Sequence, residues 1–254
     1  MNKRKLYLAG ILFILGLIGI SSMLTMDIPL PEEARVILEE QFSPEQIKFV
    51  LLINPVILLI GFIVVGTIFY DKCGLQVPLI ESLVTRRKST IPVGDIVRYG
   101  VVGGISAGIL LTLIGAAFFP QLPEEFIALG EKIKPTLAAR FLYGGLTEEI
   151  LMRFGLMTFL VWLFSKIFKG TSSTVYWIGI VIAAVLFALG HFPIAFQAVG
   201  TPSVVLLTYI IVGNTIGGII FGWLYWQKGL ESAFIAHIFA HVVMVLAEPL
   251  VGSM

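Results

Sequence analysis

Two adjacent acids, one arginine and three imidazoles are the residues of this chain whose types and spacing can do chemistry: Glu148, Glu149, Arg153, His191, His237 and His241. All six lie inside strongly apolar stretches, and the three histidines are the chain's whole complement. An ionisable side chain in such a stretch costs at least ~2.5 to 3.5 kcal/mol to insert into a bilayer, so it normally faces a polar cavity and works there. On a helix Glu149 and Arg153 are four apart and share a face, whereas Glu148 is turned by about 100° from its neighbour. One carboxylate is therefore expected to pair with the arginine, leaving the other available as a general base. An ion pair joining two helices needs only one acid and one base, and the second acid points beyond packing. His191 closes the string Phe187-Ala-Leu-Gly-His191, with Pro193 two residues on, where a helix can kink. Alone, such a histidine is as often a packing group as a catalyst. His237 and His241 are four apart and stack on one helical face, a pair able to bind a metal, orient a water or donate hydrogen bonds to a developing oxyanion.

The elements that must position these groups are membrane spans. Apolar residues make up 57% of the 254 and charged ones 13%, a balance outside the range of soluble domains. Seven stretches reach spanning length, at about 5–26, 50–70, 97–119, 137–168, 175–196, 204–226 and 230–250. They are too long and too evenly apolar for barrel strands, and lipid demands that every backbone donor and acceptor be satisfied within its element. An all-α, polytopic transmembrane bundle of about seven spans (seven to eight) follows, with 1–254 read as a single integral membrane domain. Residues 1–26 carry a basic start and an apolar run like a secretory signal, but the run is long and lacks a small-residue cleavage pattern, so it is read as an uncleaved first span.

Charge sets the orientation. With the amino terminus inside, the inner segments hold eleven basic residues (Lys3, Arg4, Lys5, Lys72, Arg86, Arg87, Lys88, Arg98, Lys166, Lys169, Lys228) and the outer ones five (Arg35, Lys48, Lys132, Lys134, Arg140). The positive-inside bias favours a cytoplasmic amino terminus, and Tyr7, Tyr70, Tyr99, Trp162, Tyr176, Trp177, Trp223, Tyr225 and Trp226 fall near the same inner ends. Residues 31–48 read equally as a short surface helix or a solvated loop. Arg86, Arg87 and Lys88 are taken to fix topology beside anionic headgroups. Gly213, Gly217, Gly218 and Gly222 in the sixth span are expected to let a neighbouring helix approach, with Asn214 beside them needing a partner. The net charge of +1, with no basic tract, argues against nucleic acid. A single cysteine, Cys73, excludes an internal disulfide and a Cys-rich metal framework.

At 1.5 Å rise per residue, Glu148 and His241 each lie roughly 16 Å into their spans, near the midplane, and His191 lies somewhat nearer the outer side. One polar pocket can gather all of them. The pattern resembles the CPBP family, the CAAX-prenyl-protease and bacteriocin-processing membrane proteins once grouped as abortive-infection proteins. Two glutamates, three residues and arginine match Glu148, Glu149 and Arg153; phenylalanine, three residues and histidine match Phe187 and His191. The third motif is met by His237, but His241 stands where the prenyl-protease branch has asparagine. The resemblance covers about 137–250.

That resemblance implies intramembrane hydrolysis of a peptide bond in a membrane-associated peptide or protein, in a prokaryotic inner membrane. Glu148 and His191 would activate water, His237 and His241 would stabilise the oxyanion, and Glu149, Arg153 and Phe187 would support the helix geometry. A metal-free glutamate mechanism is expected, and no cofactor is assigned. In a zinc-dependent version His191, His237 and His241 would be the ligands, although the acid that zincins carry within the His pair is absent. Two other readings use the same groups: a non-catalytic scaffold or immunity factor, and a proton-coupled transporter, which would show inverted repeats not found here.

Overall fold

A computed structural model describes residues 3–28, 30–133 and 135–251, so Lys134, counted above among the outer basic residues, lies outside the described residues. Helices carry the fold, with no strand among the described residues. Seven are long and apolar enough to cross a membrane: Lys3–Thr25, Pro44–Phe69, Val93–Gln121, Ala139–Ile167, Ser173–Val199, Val204–Lys228 and Leu230–Pro249. These are the seven spans read from hydropathy, and the chain is an integral membrane protein. Large apolar side chains such as Ile14, Ile57, Val64, Val102 and Leu113 stand outward, as a lipid solvent allows.

Between apolar helices in lipid, packing and hydrogen bonds hold what water would otherwise drive together. The third span meets the seventh through Gly100, Gly104 and Gly108, a four-residue repeat. A Cβ at Gly100 would lie 2.8 Å from Ile235 Cβ, at Gly104 2.6 Å from Phe239 Cβ and at Gly108 2.6 Å from Val243 Cβ, all well inside van der Waals contact. The first span meets the fourth at Gly19, which abuts Thr147 and Leu142, while Thr147 Oγ1 donates to the Gly16 carbonyl at 2.8 Å.

Short polar stretches fold too. The 31–48 segment forms two helices, Glu32–Glu39 and Pro44–Val50; Ser43 starts the second, accepting from Gln46 N while the Gln46 side chain accepts from Ser43 N. The 71–95 loop contains a helix, Pro78–Thr85, whose first amides Leu79 N and Ile80 N donate to Glu231 Oε1 at 2.8 Å each. A carboxylate from the seventh span thus satisfies orphan donors of another element. The turn before it needs Gly229, at φ 88° and pressed on Pro78. Arg4 pairs with Glu81 at 2.5 Å, Lys5 with Asp71 at 2.8 Å and Lys228 with Asp95 at 3.4 Å, gathering the ends assigned to the inner side at one end of the bundle.

The fourth span departs from the regular α-helix expected of it. Ala139–Glu148 and Ile150–Met157 are π-helical, wound with i→i+5 bonds, before an α-helix resumes at Thr158–Ile167. Such winding is rare and concentrates at functional sites. It has local causes that lipid requires: adjacent Gly144 and Gly145 weaken the α-helix, and Thr158 Oγ1 donates to the Arg153 carbonyl at 3.2 Å. The fifth span is also interrupted. Its first helix, Ser173–Leu189, stops before Gly190, and a second, Phe192–Val199, starts at His191 with Pro193 in its first turn.

Candidate active site

The π-wound span carries the acids. Glu149 is fully buried and works on two partners: its Oε2 lies 3.2 Å from Arg153 Nε, and its Oε1 lies 2.9 Å from His237 Nδ1 on the seventh span. The pairing with arginine expected from α-helical spacing therefore forms despite the wider winding, and the acid also fixes an imidazole. Arg153 is buried as well, its guanidinium 5.6 Å from the Phe187 ring centroid and 5.9 Å from that of Phe221. Two aromatic faces thus take the cation where hydrogen-bond acceptors run short. This gives Phe187 a second task, because its carbonyl also accepts from His191 Nδ1 at 2.9 Å and its ring meets the imidazole edge-on.

Glu148 is the freer acid, its side chain 20% exposed and its Oε2 3.9 Å from His237 Nε2. That gap is longer than a hydrogen bond and is one a water can bridge. His237 stacks on Phe221 with centroids 4.7 Å apart and on His241 at 5.0 Å. Both rings aim Nε2 at Gly144: a Cβ there would stand 3.0 Å from His241 Nε2 and 3.3 Å from His237 Nε2. The absent side chain leaves room for the imidazole edges against the fourth span. Nothing in the motif spacing marks Gly144; its signal is a glycine pair inside a spanning helix, a choice that costs about 1 kcal/mol per residue unless space demands it.

Glu148, His191, His237 and His241 line one cavity of about 460 Å³, whose wall comes from every span except the second. Glu149 and Arg153 lie behind that wall. Tyr143, Phe187, Ile194, Tyr209 and Met244 make much of the rest apolar, so the polar groups converge in a greasy chamber of ligand-pocket dimensions. The glycines of the sixth span divide by task. Gly218 and Gly222 approach the fifth span at Ala184 and Ile180, whereas a Cβ at Gly213 would meet nothing within 4 Å, and Gly213, Gly217 and one edge of Gly218 line the cavity. Packing was the expectation for all four, and half of the stripe instead makes space. Asn214 answers its own need by donating Nδ2 to the Ile210 carbonyl at 2.9 Å. Sequence reading also passed over Arg140, which lines the chamber and pairs with Glu248 at 2.5 Å.

A zinc site needs three or four ligands converging within about 2.0–2.3 Å of one ion. Among the described residues no three His, Cys, Asp or Glu side chains are grouped so as to hold a metal ion. Cys73 lies apart from the chamber, buried, with its thiol facing the Thr158 carbonyl and pushed up to about 11 by burial.

Comparison with family models matches residues 131–243 to one described as Rce1-like, type II CAAX prenyl endopeptidase. Neither a curated protein nor a solved structure matches the chain. The matched stretch holds both acids, Arg153, Gly144 and all three histidines, so over residues 131–243 the chain is similar to the Rce1-like, type II CAAX prenyl endopeptidase family.

Proposed function

We propose that this protein is a glutamate-dependent intramembrane endopeptidase that hydrolyses a peptide bond of a membrane-associated peptide or protein without a metal. Convergence of Glu148 and three imidazoles on one largely apolar chamber carries this reading. Glu148, with His191 lining the same chamber, takes a proton from a water. The resulting hydroxide adds to the scissile carbonyl carbon, and the tetrahedral oxyanion accepts hydrogen bonds from the imidazole pair. Collapse breaks the C–N bond, and the proton held at Glu148 passes to the leaving amine.

The two rings of the pair are not equivalent. With Nδ1 of His237 donating to Glu149, its Nε2 donates only as an imidazolium and accepts as a neutral ring. His241 Nδ1 is buried without a hydrogen-bond partner, so a neutral His241 can carry its proton on Nε2, facing the chamber. His241 is thus the oxyanion donor that needs no net charge, the task an amide would perform at that position. Glu149 and Arg153 hold His237 in register, a positioning role.

The test is cleavage of a library of membrane-anchored peptides by the purified, reconstituted chain. Glu148→Ala and His191→Ala are expected to lower turnover by about 10² or more. Unchanged cleavage in either variant rejects the assigned roles, and no cleavage by the wild type favours a non-catalytic scaffold. A chelator arm completes it: activity lost on stripping and regained with added zinc would replace the metal-free mechanism.

A further inference from the structure

Among the described residues that line the chamber, Arg140 carries the one guanidinium. It sits two turns of π-helix before Glu148, with its side chain 10% exposed, and it borders a second, smaller cavity formed with Pro135, Thr136, Leu137, Val245 and Glu248. Its Nε donates to the Pro135 carbonyl at 3.2 Å, and its Nη1 meets Glu248 Oε1 at 2.5 Å. The backbone carbonyl anchors the stem of the side chain, and the outer edge of the fork is what holds the carboxylate. A planar guanidinium grips any carboxylate in the same geometry. Glu248 precedes Pro249 within the last turns of the seventh span, where proline removes a backbone hydrogen bond and loosens the helix that carries it.

We propose that Arg140 is a specificity-determining residue that receives a carboxylate of the substrate in exchange for Glu248. The inference rests on the endopeptidase reading for the identity of the ligand as a peptide. Charge balance within the chamber argues for it. Among the described side chains that line it, Arg140 is the one guanidinium and Glu148 the one carboxylate, so a carboxylate entering this apolar space finds its fixed positive charge at Arg140. The carboxylate belongs either to an acidic side chain near the scissile bond or to a free C-terminus a few residues beyond it.

Three fluorescent, membrane-anchored peptides of one sequence separate these sources: one with a free C-terminus, one amidated and neutral, and one amidated with a single aspartate near the cleavage point. Wild-type chain in vesicles is expected to show a KM at least about tenfold lower for one acidic peptide than for the neutral one. The acidic peptide that is favoured names the source. Arg140→Gln is expected to raise that KM to the neutral value with little change in kcat, Arg140→Lys to restore part of the preference, and Glu248→Gln to sharpen it. Equal KM values for all three peptides in the wild type, or a preference that survives Arg140→Gln, would overturn the proposal. The same comparison read as binding to the Glu148→Ala protein needs no turnover. Absence of hydrolysis there leaves the carboxylate preference measurable, and failure of the endopeptidase reading is told apart from failure of this one.

Discussion

Every charge in the polar cluster is placed by another group, and single changes should separate positioning from chemistry. Gly144 is the sharpest case. Gly144→Ala puts a methyl 3.0 Å from His241 Nε2, and the ring must move by a few tenths of an ångström. A displacement of that order lowers turnover by about tenfold, given that 1 Å can cost ~10². The expected signature is a fallen kcat with thermal stability within about 1 kcal/mol of wild type; unchanged turnover would mean the imidazole edges do not act on the substrate. Arg153→Met makes the opposite split. It strips the fully buried Glu149 of its cation, and breaking such a pair by one partner costs about 3 to 5 kcal/mol, read as a lowered Tm in detergent. Adding Glu149→Gln to Arg153→Met should recover much of that stability, because no uncompensated charge remains buried. It should not recover activity, since His237 would have lost the carboxylate that orients it.

At the level of helices, hydropathy was enough to mark out all seven spans, because length and apolar continuity are what lipid selects. Motif spacing also anticipated that Glu148 and the three imidazoles would meet at one chamber. What stayed hidden has a common cause, in that it depends on how helices touch and not on what each contains. The π winding of the fourth span changes no residue type and leaves no period in hydropathy. Likewise Glu231 reads as one acid near a helix start until the Pro78–Thr85 amides meet it. The glycine rows show the same limit, since Gly104 and Gly213 look alike in sequence and differ in space. Gly104→Ala drives a Cβ into Phe239 and the Ala236 carbonyl between the third and seventh spans, and overpacking of this kind costs about 1 to 3 kcal/mol. Gly213→Ala meets open space, should leave Tm unaltered, and narrows the chamber, so its effect belongs in KM for bulky peptides. Equal losses of Tm in the two variants would contradict the contrast between a packed third-span glycine and an open sixth-span one.

For the molecule as a whole, the pairs Arg4–Glu81, Lys5–Asp71 and Lys228–Asp95 gather one set of loops, while Arg140–Glu248 and the Thr25–Thr136 hydroxyl contact at 2.6 Å gather the other. The chamber extends toward the second set, through Met26, Phe126, Pro135 and Arg140. Under the proposed endopeptidase reading, which face of the membrane that set occupies decides the side from which water and peptide would reach Glu148. Eleven basic residues against five favour the first set on the cytoplasmic side, with the expectation that the chamber then lies toward the outer side. The lone cysteine makes this testable. Cys73 is 1% exposed and its thiol is pushed up to about 11 by burial, so near neutral pH it is protonated, hidden and slow to alkylate. Cys73→Ala removes even that background, after which Gln41→Cys and Lys88→Cys, both at exposed positions, report on opposite ends. A membrane-impermeant maleimide added to intact cells is expected to label the cysteine at 41 within minutes and to reach the one at 88 only after the membrane is opened. The reverse pattern would invert the orientation and turn the chamber toward the cytoplasm with the same chemistry inside. Labelling of both from one side would contradict the crossing of the Pro44–Phe69 span itself.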